Sequence, residues 1–394
     1  MPHDDSGSQS GDSAGEYRAA DAFDVQAQGH RFTFYPGGAD RLEALVKHIA
    51  SARRSLQLYY YLFEDDASGH RVRDALIEAL TRGVSVHLIV DHFGTDAPRE
   101  FFEPIIAAGG RYAVFAPRRN VRYLIRNHQK FAIADGRRVM TGGSNISDHY
   151  FSGPEENGWC DLTVAIEGDV AGQFEAWFAL IADWIESDGS QLRKLRRMIS
   201  KWDAGEGAVQ LLVGGPSVRL YGWARRFRSD LKRATRFDSV SAYFTPQRSI
   251  VRMISKVARR GQVRMVTAGK SDIDATIAAA RLLYRPLLKA GAQIAEFRPS
   301  KLHMKLMVID DASYFGSANL DKRSIRINVE LMVRVQDAEL AGRLRELIDH
   351  VERASQPVTP EWYAEKSRFP ARLRWRGAYL LAVFDYWLTR RLNR

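Results

Sequence analysis

Two stretches of this chain carry the same residues at the same spacing. The first reads His128-Gln129-Lys130, four residues, Asp135, then Gly142-Gly143-Ser144-Asn145. The second reads His303-Met304-Lys305, four residues, Asp310, then Gly316-Ser317-Ala318-Asn319. A lone His-x-Lys recurs by chance, but two matched copies at matching places in a repeat do not. In a strand, residues i and i+2 share a face, so each His projects with its Lys. The Gly-rich turn lets backbone come close and returns an Asn to the same cleft. Each half thus offers an imidazole, an ammonium and a carboxamide. Two facing halves would surround one phosphoryl group, with lysines and asparagines on the non-bridging oxygens. The two histidines suit nucleophile and general-acid roles. Neither a metal nor another cofactor is expected, because Lys130 and Lys305 supply the positive charge and no HExxH, paired CxxC or Asp-rich set is present. Asp135 and Asp310 begin hairpin turns and read as structural.

The surroundings repeat as well. Leu56–Leu62, Val72–Leu80 and Val84–Val90 read strand, helix, strand, and Val240–Phe244, Ile250–Ala258 and Val263–Ala268 repeat the order. Strands alternating with helices imply an α/β fold. The expected division is an acidic disordered tail over residues 1–30, a first domain over 31–205, a second over 206–355, and a basic, apolar tail over 356–394. A helix and linker, Arg193–Arg197 then Gly205-Glu206-Gly207, would join the halves. Tyr59-Tyr60-Tyr61 reads as core, and Trp159 and Cys160 receive no chemistry.

The net charge of +11 and pI near 9.7 favour anionic partners. One cysteine excludes an intramolecular disulfide and fits a reducing compartment. No stretch reaches the roughly 20 apolar residues of a membrane span, and the N-terminus lacks a signal-peptide pattern. From Lys366 to Arg394 there are eight basic residues and one acid, Asp385, around the apolar run Ala378–Leu388. With Trp375, Tyr379, Tyr386 and Trp387 near its ends, that segment suits shallow insertion into an anionic surface.

The paired motif resembles that of the phospholipase D superfamily. Tyr60–Asp66, Arg82-Gly83-Val84, Asn127–Lys130, Gly142–Ile146 and Gly316–Asp321 are similar to bacterial cardiolipin synthases, over roughly residues 32 to 355. The resemblance implies two similar phospholipase D-like α/β sandwich domains in a pseudo-twofold arrangement, with one active site between them. It implies a two-step reaction in which His128 attacks the phosphodiester to form a phosphohistidine. His303 protonates the leaving alcohol, and a second alcohol resolves the intermediate. An acid after each motif, Asp161 and Glu330, would orient a histidine. The expected catalytic set is His128, Lys130, Asn145, Asp161, His303, Lys305, Asn319 and Glu330. Ser144 and Ser317 are expected to contact substrate. So are Arg122 and Arg126, in a basic and apolar loop (Arg118, Arg119, Tyr123, Leu124 and Ile125 beside them) suited to an anionic lipid headgroup and its chains.

The family's members with two N-terminal membrane helices differ from this chain, which resembles those without them. The expected activity is a phosphatidyltransferase of phospholipid biosynthesis making cardiolipin from phosphatidylglycerol, peripheral on the cytoplasmic side of the bacterial inner membrane. Its partner would be an anionic phospholipid. The rivals are a phospholipase D hydrolase, with water resolving the same intermediate, and a phosphodiesterase acting on nucleic acid. Basic residues flanking an apolar segment point to lipid more than to backbone tracking along nucleic acid.

Overall fold

The computed structural model describes residues 17–117, 125–187, 192–216, 220, 222–271 and 273–392, the last eleven by their backbone alone. The first half contributes β1 (Phe23–Ala27), β2 (His30–Tyr35), β3 (Ser55–Tyr60), β4 (Ser85–Asp91), β5 (Arg111–Phe115), β6 (Lys130–Ala134), β7 (Arg138–Gly142) and β8 (Thr163–Glu167). They form one sheet in the order β1-β2-β8-β7-β6-β3-β4-β5. The second half contributes β9 (Val209–Gly214), β10 (Arg236–Ser241), β11 (Phe244–Thr245), β12 (Gln262–Ala268), β13 (Gln293–Phe297), β14 (Lys305–Ile309), β15 (Ala312–Gly316), β16 (Leu320–Asp321), β17 (Glu330–Gln336) and β18 (Ser355–Pro357). Its large sheet runs β18-β13-β12-β10-β14-β15-β17-β9, and β11 pairs with β16 apart from it.

The sheets correspond strand for strand. In each, three parallel strands (β3, β4, β5; β10, β12, β13) join an antiparallel run (β6, β7, β8, β2; β14, β15, β17, β9). β1 and β18 are additions at opposite ends. The α/β expectation and the repeat hold, and the equivalence places the two motif strands, β6 and β14, at matching positions.

Burial explains why these sequences become central strands. All five residues of β6 and all five of β14 are buried, as expected of strands covered on both faces. Phe131 and Ile133 of β6 point into a core that also takes Leu306 and Val308 of β14. Helices Val170–Glu186 and Ala338–Arg353 fill the same core. Phe32 and Phe34 of β2 meet Phe315 of β15 edge-on, at 6.0 and 5.5 Å. Each such buried ring contributes about 2 kcal/mol, so the halves share one hydrophobic core.

The hairpin aspartates behave as the sequence suggests. Asp135 and Asp310 adopt φ of 56° and 46°, left-handed positions that Asp tolerates in turns. The Asp135 carboxylate accepts from the backbone N–H of Arg53, Arg54 and Ser55, and that of Asp310 from Thr235 and Arg236. Each clips its hairpin to the neighbouring strand.

Two expectations need correction. Residues 17–30 are not a tail. Tyr17 packs edge-on against Phe297 at 4.8 Å, Phe23 stacks on Phe34, and Asp24 is paired with Arg31 at 2.7 Å. Aromatic anchors outweigh the local acidic composition there; residues 1–16 lie outside the described residues. The C-terminal segment forms helix Phe369–Leu392, but Trp375 and Tyr379 are buried against the protein rather than presented outward. Lys322 donates to the Tyr379 hydroxyl at 3.2 Å. Among the described side chains of that helix, Phe369, Leu373, Leu380 and Leu381 are the large apolar ones left exposed. The side chains of Tyr386 and Trp387 lie outside the described residues. Among the described residues, no helix is long and apolar enough to cross a membrane.

Candidate active site

His128 sits just ahead of β6 and is held from the opposite half. Asn127 bridges Val329 in parallel, the His128 N–H donates to the Val329 carbonyl at 2.8 Å, and the Val329 N–H donates to Arg126 at 2.9 Å. The second half mirrors this. Cys160 bridges Leu302, the His303 N–H donates to the Cys160 carbonyl at 2.7 Å, and the Cys160 N–H donates to Lys301 at 2.9 Å. The residue after each clamp is an acid. Glu330 Oε2 therefore lies 3.2 Å from His128 Nδ1, and Asp161 Oδ2 lies 2.7 Å from His303 Nδ1. The pairs are crossed, each histidine meeting the acid of the other half. A carboxylate on Nδ1 fixes the ring and leaves Nε2 for chemistry.

Lys130 and Lys305 open their strands beside these rings. Lys130 Nζ donates to the His128 carbonyl at 2.6 Å, and Lys305 Nζ donates to that of His303. Burial holds Lys130 well below the ordinary lysine value. Burial, then the charges of Lys130 and Lys305, holds His128 well below the ordinary imidazole value. His303 is pushed down to about 3 by burial and Lys305, against the pull of Asp161. Each imidazole thus feels the lysines of both halves, so the two motifs form one site. Both rings are neutral there at neutral pH.

The two acids are not equivalent. Burial would raise Asp161, but His303, Lys305 and Arg41 outweigh it and keep it below the usual carboxylate range. Glu330 is pushed up to about 7 by burial, with Lys130 only partly offsetting this. The turn residues match the difference. At Gly143 a Cβ would lie 2.1 Å from Asp161 Oδ1, so only glycine leaves room. The equivalent Ser317 donates its hydroxyl to Glu330. Ser317, expected to contact substrate, is fully buried with its hydroxyl given to Glu330. Ser144 is buried beside Lys130 and Thr141 in a small internal cavity, away from the open cleft. Asn145 and Asn319 are both buried, and neither carboxamide oxygen has a partner among the described residues; Asn145 Nδ2 donates to the Tyr150 hydroxyl at 2.8 Å.

An open cleft of about 380 Å³ reaches His128 and Asn319. Arg126 lines it, while Arg118, Arg119, Arg122, Tyr123 and Leu124 lie outside the described residues. Ile273, Ala378 and Leu381 form an apolar wall.

Several contributors carry no motif. Tyr150 and Trp159 each bring a ring to 5.1 Å from His303, and Tyr61 lies 4.9 Å from His128. Trp159 is thus part of the site, whereas Tyr59 and Tyr60 are core. Arg41 is fully buried, and its guanidinium donates to the carbonyls of Pro36, Tyr150, Trp159 and Asp161. It fixes the segment that delivers Asp161. Asp91 does the same for the other half, accepting from the Asn127 N–H at 2.8 Å while burial pushes it up to about 7. Their only sequence signals are a basic residue within a helix and an acid ending a strand.

A family model described as cardiolipin synthase, PLD-like domain, matches residues 45–182 and 227–351. Cardiolipin synthase 1 of Staphylococcus epidermidis is 29% identical over 86% of this chain and 71% of its own length. The major cardiolipin synthase ClsA of Bacillus subtilis is 29% identical over 84% and 70%. Among solved structures, phosphatidylserine synthase of Haemophilus influenzae superposes with a TM-score of 0.71 at 13% identity, covering 93% of this chain and 96% of that one. Polyphosphate kinase of Porphyromonas gingivalis gives a TM-score of 0.57 at 11% identity over 91% and 54%. At such identities the two structures speak for the fold alone.

Proposed function

The chain belongs to the cardiolipin synthase, PLD-like domain family, and on that premise we propose that it transfers a phosphatidyl group between phospholipids, forming cardiolipin from two phosphatidylglycerols. The crossed Nδ1–carboxylate pairs carry this reading. His128 Nε2 attacks phosphorus while Lys130, Lys305, Asn145 and Asn319 hold the non-bridging oxygens. The phosphorus–oxygen bond to glycerol breaks, a phosphorus–nitrogen bond forms, and the glycerol oxygen takes a proton from His303. His303 takes that proton from solvent as substrate binds, because the phosphodiester's negative charge offsets the lysine charges that hold the imidazole down. Glu330, ionised, stabilises the phosphorylated ring. His303 then removes a proton from the terminal hydroxyl of a second phosphatidylglycerol, whose oxygen displaces His128. The apolar wall of Ile273, Ala378 and Leu381 suits acyl chains and favours a lipid alcohol over water.

Its place is the cytoplasmic face of the bacterial inner membrane, held as a peripheral protein. Exposed Phe369, Leu373, Leu380 and Leu381 among the tail arginines support that contact. Incubation with phosphatidylglycerol vesicles tests the activity. Cardiolipin and glycerol are the expected products; phosphatidic acid alone would mean that water resolves the intermediate and would overturn the transfer.

A further inference from the structure

Helix Arg248–Arg260 carries a cationic stripe that the catalytic site does not use. Arg248, Arg252, Lys256 and Arg259 recur every three to four residues, so they share one helix face. All four are exposed, and the opposite face, including Ile250, Ile254 and Val257, is buried. None of the four forms an ion pair or side-chain hydrogen bond with a described residue. Like charges at that spacing repel and weaken a helix unless an anion lies between them. Elsewhere in this half, Arg264 is matched to Asp238 and Arg281 to Glu296.

The stripe borders a groove of about 770 Å³, and Arg376 of the C-terminal helix faces it from the other side. Among the described residues its lining contains no acid. The floor is apolar, built by buried Val251 and Leu283, with exposed Pro286 and Leu380 at its edges. A second basic groove, with Arg225, Arg228 and Arg260, adjoins at Lys256. The C-terminal helix therefore divides two openings. Ala378 and Leu381 face the catalytic cleft, and Arg376 and Leu380 face this groove. Most of the exposed large apolar residues among those described, Ile273, Phe369, Leu373, Leu380 and Leu381, cluster on this helix and beside it.

We propose that this groove is a second, non-catalytic site for an anionic phospholipid of the bilayer, with the phosphate on the arginine stripe and an acyl chain along the apolar floor. Cations around an apolar trough are complementary to that amphiphile, and exposed leucines at the rim continue the trough into a membrane surface. The occupied groove would hold the neighbouring cleft at the headgroup layer. The inference rests on the membrane association proposed above, not on the catalytic roles.

The test uses the full chain and sedimentation with vesicles of phosphatidylcholine, alone or mixed with phosphatidylglycerol. R252E/K256E is expected to bind the mixed vesicles about tenfold or more weakly, since each basic residue near an anionic surface adds to the attraction. R376E, on the facing wall, is expected to lose binding likewise. Both are expected to turn over soluble short-chain phosphatidylglycerol at the unaltered rate, which also shows them folded. H128A is expected to sediment normally while turning over nothing. Unchanged sedimentation of the charge-reversed proteins would overturn the site, and so would equal binding to phosphatidylcholine alone. Displacement by inorganic phosphate as effective as by lipid would assign the groove to a free anion instead. Loss of duplex DNA binding with vesicle binding intact would assign it to nucleic acid. Sedimentation reads the groove even if no phospholipid is turned over, so the two proposals fail separately.

Discussion

Asp161 and His303 stand 142 residues apart in the chain, yet their Oδ2 and Nδ1 atoms are 2.7 Å apart. The acid follows the first motif and serves the histidine of the second. Asp161→Asn keeps the shape but removes the charge and the tautomer control. Turnover should fall about a thousandfold with KM little changed, because the loss is of proton transfer in the transition state. Steady-state kinetics on phosphatidylglycerol checks this.

Glu330 should make the reaction pH-dependent near neutrality. Its carboxyl is pushed up to about 7, so it is charged above that pH and neutral below. The charged form is the one that stabilises a phosphorylated His128. The rate should therefore fall as pH drops through about 7. In Glu330→Gln that limb should flatten and the rate should be low throughout. A limb unchanged in Glu330→Gln would assign the titration to another group.

The histidines should separate when the leaving group needs no proton. With a p-nitrophenyl phosphodiester, His303→Ala should still release p-nitrophenol in the first turnover and accumulate the phosphohistidine. His128→Ala should release none. Mass spectrometry should place the trapped group on residue 128; finding it on residue 303 would reverse the assignment.

Gly143→Ala tests the fit around Asp161. A Cβ there would meet Oδ1 at 2.1 Å, so the carboxylate must move away from His303. Activity should drop roughly a hundredfold, the lower range for a misplaced acid–base partner. Ala at Ser317 should be milder, since it removes a donor without displacing Glu330.

Arg41→Leu should destabilise the protein by about 3 kcal/mol or more, because several buried carbonyls lose their donor. Urea denaturation reads the loss. The carbonyls of Trp159 and Asp161 are among them, so the variant should also lose activity at temperatures where it remains folded.

Much of this site could be read from residues alone. Strand alternation put His128 with Lys130, and His303 with Lys305, on common faces. Hairpin chemistry marked Asp135 and Asp310 as structural, and their carboxylates do cap neighbouring strands. Residues 17–30 read as a tail by composition, which cannot register Tyr17 on Phe297. Arg41 and Asp91 are not legible in the sequence, because neither spacing nor residue type distinguishes them from surface charges; burial does.

The chemistry of each half was a local matter, determined by residue types at short, regular separations that strand and turn geometry convert into direction. Which acid meets which ring was decided by the packing of the halves, across 142 and 202 residues. So was the contrast between a glycine that makes room for Asp161 and a serine that bonds Glu330. A chain records periodicity along itself, but the distance between remote side chains exists only once a shared core has locked the two sheets in place.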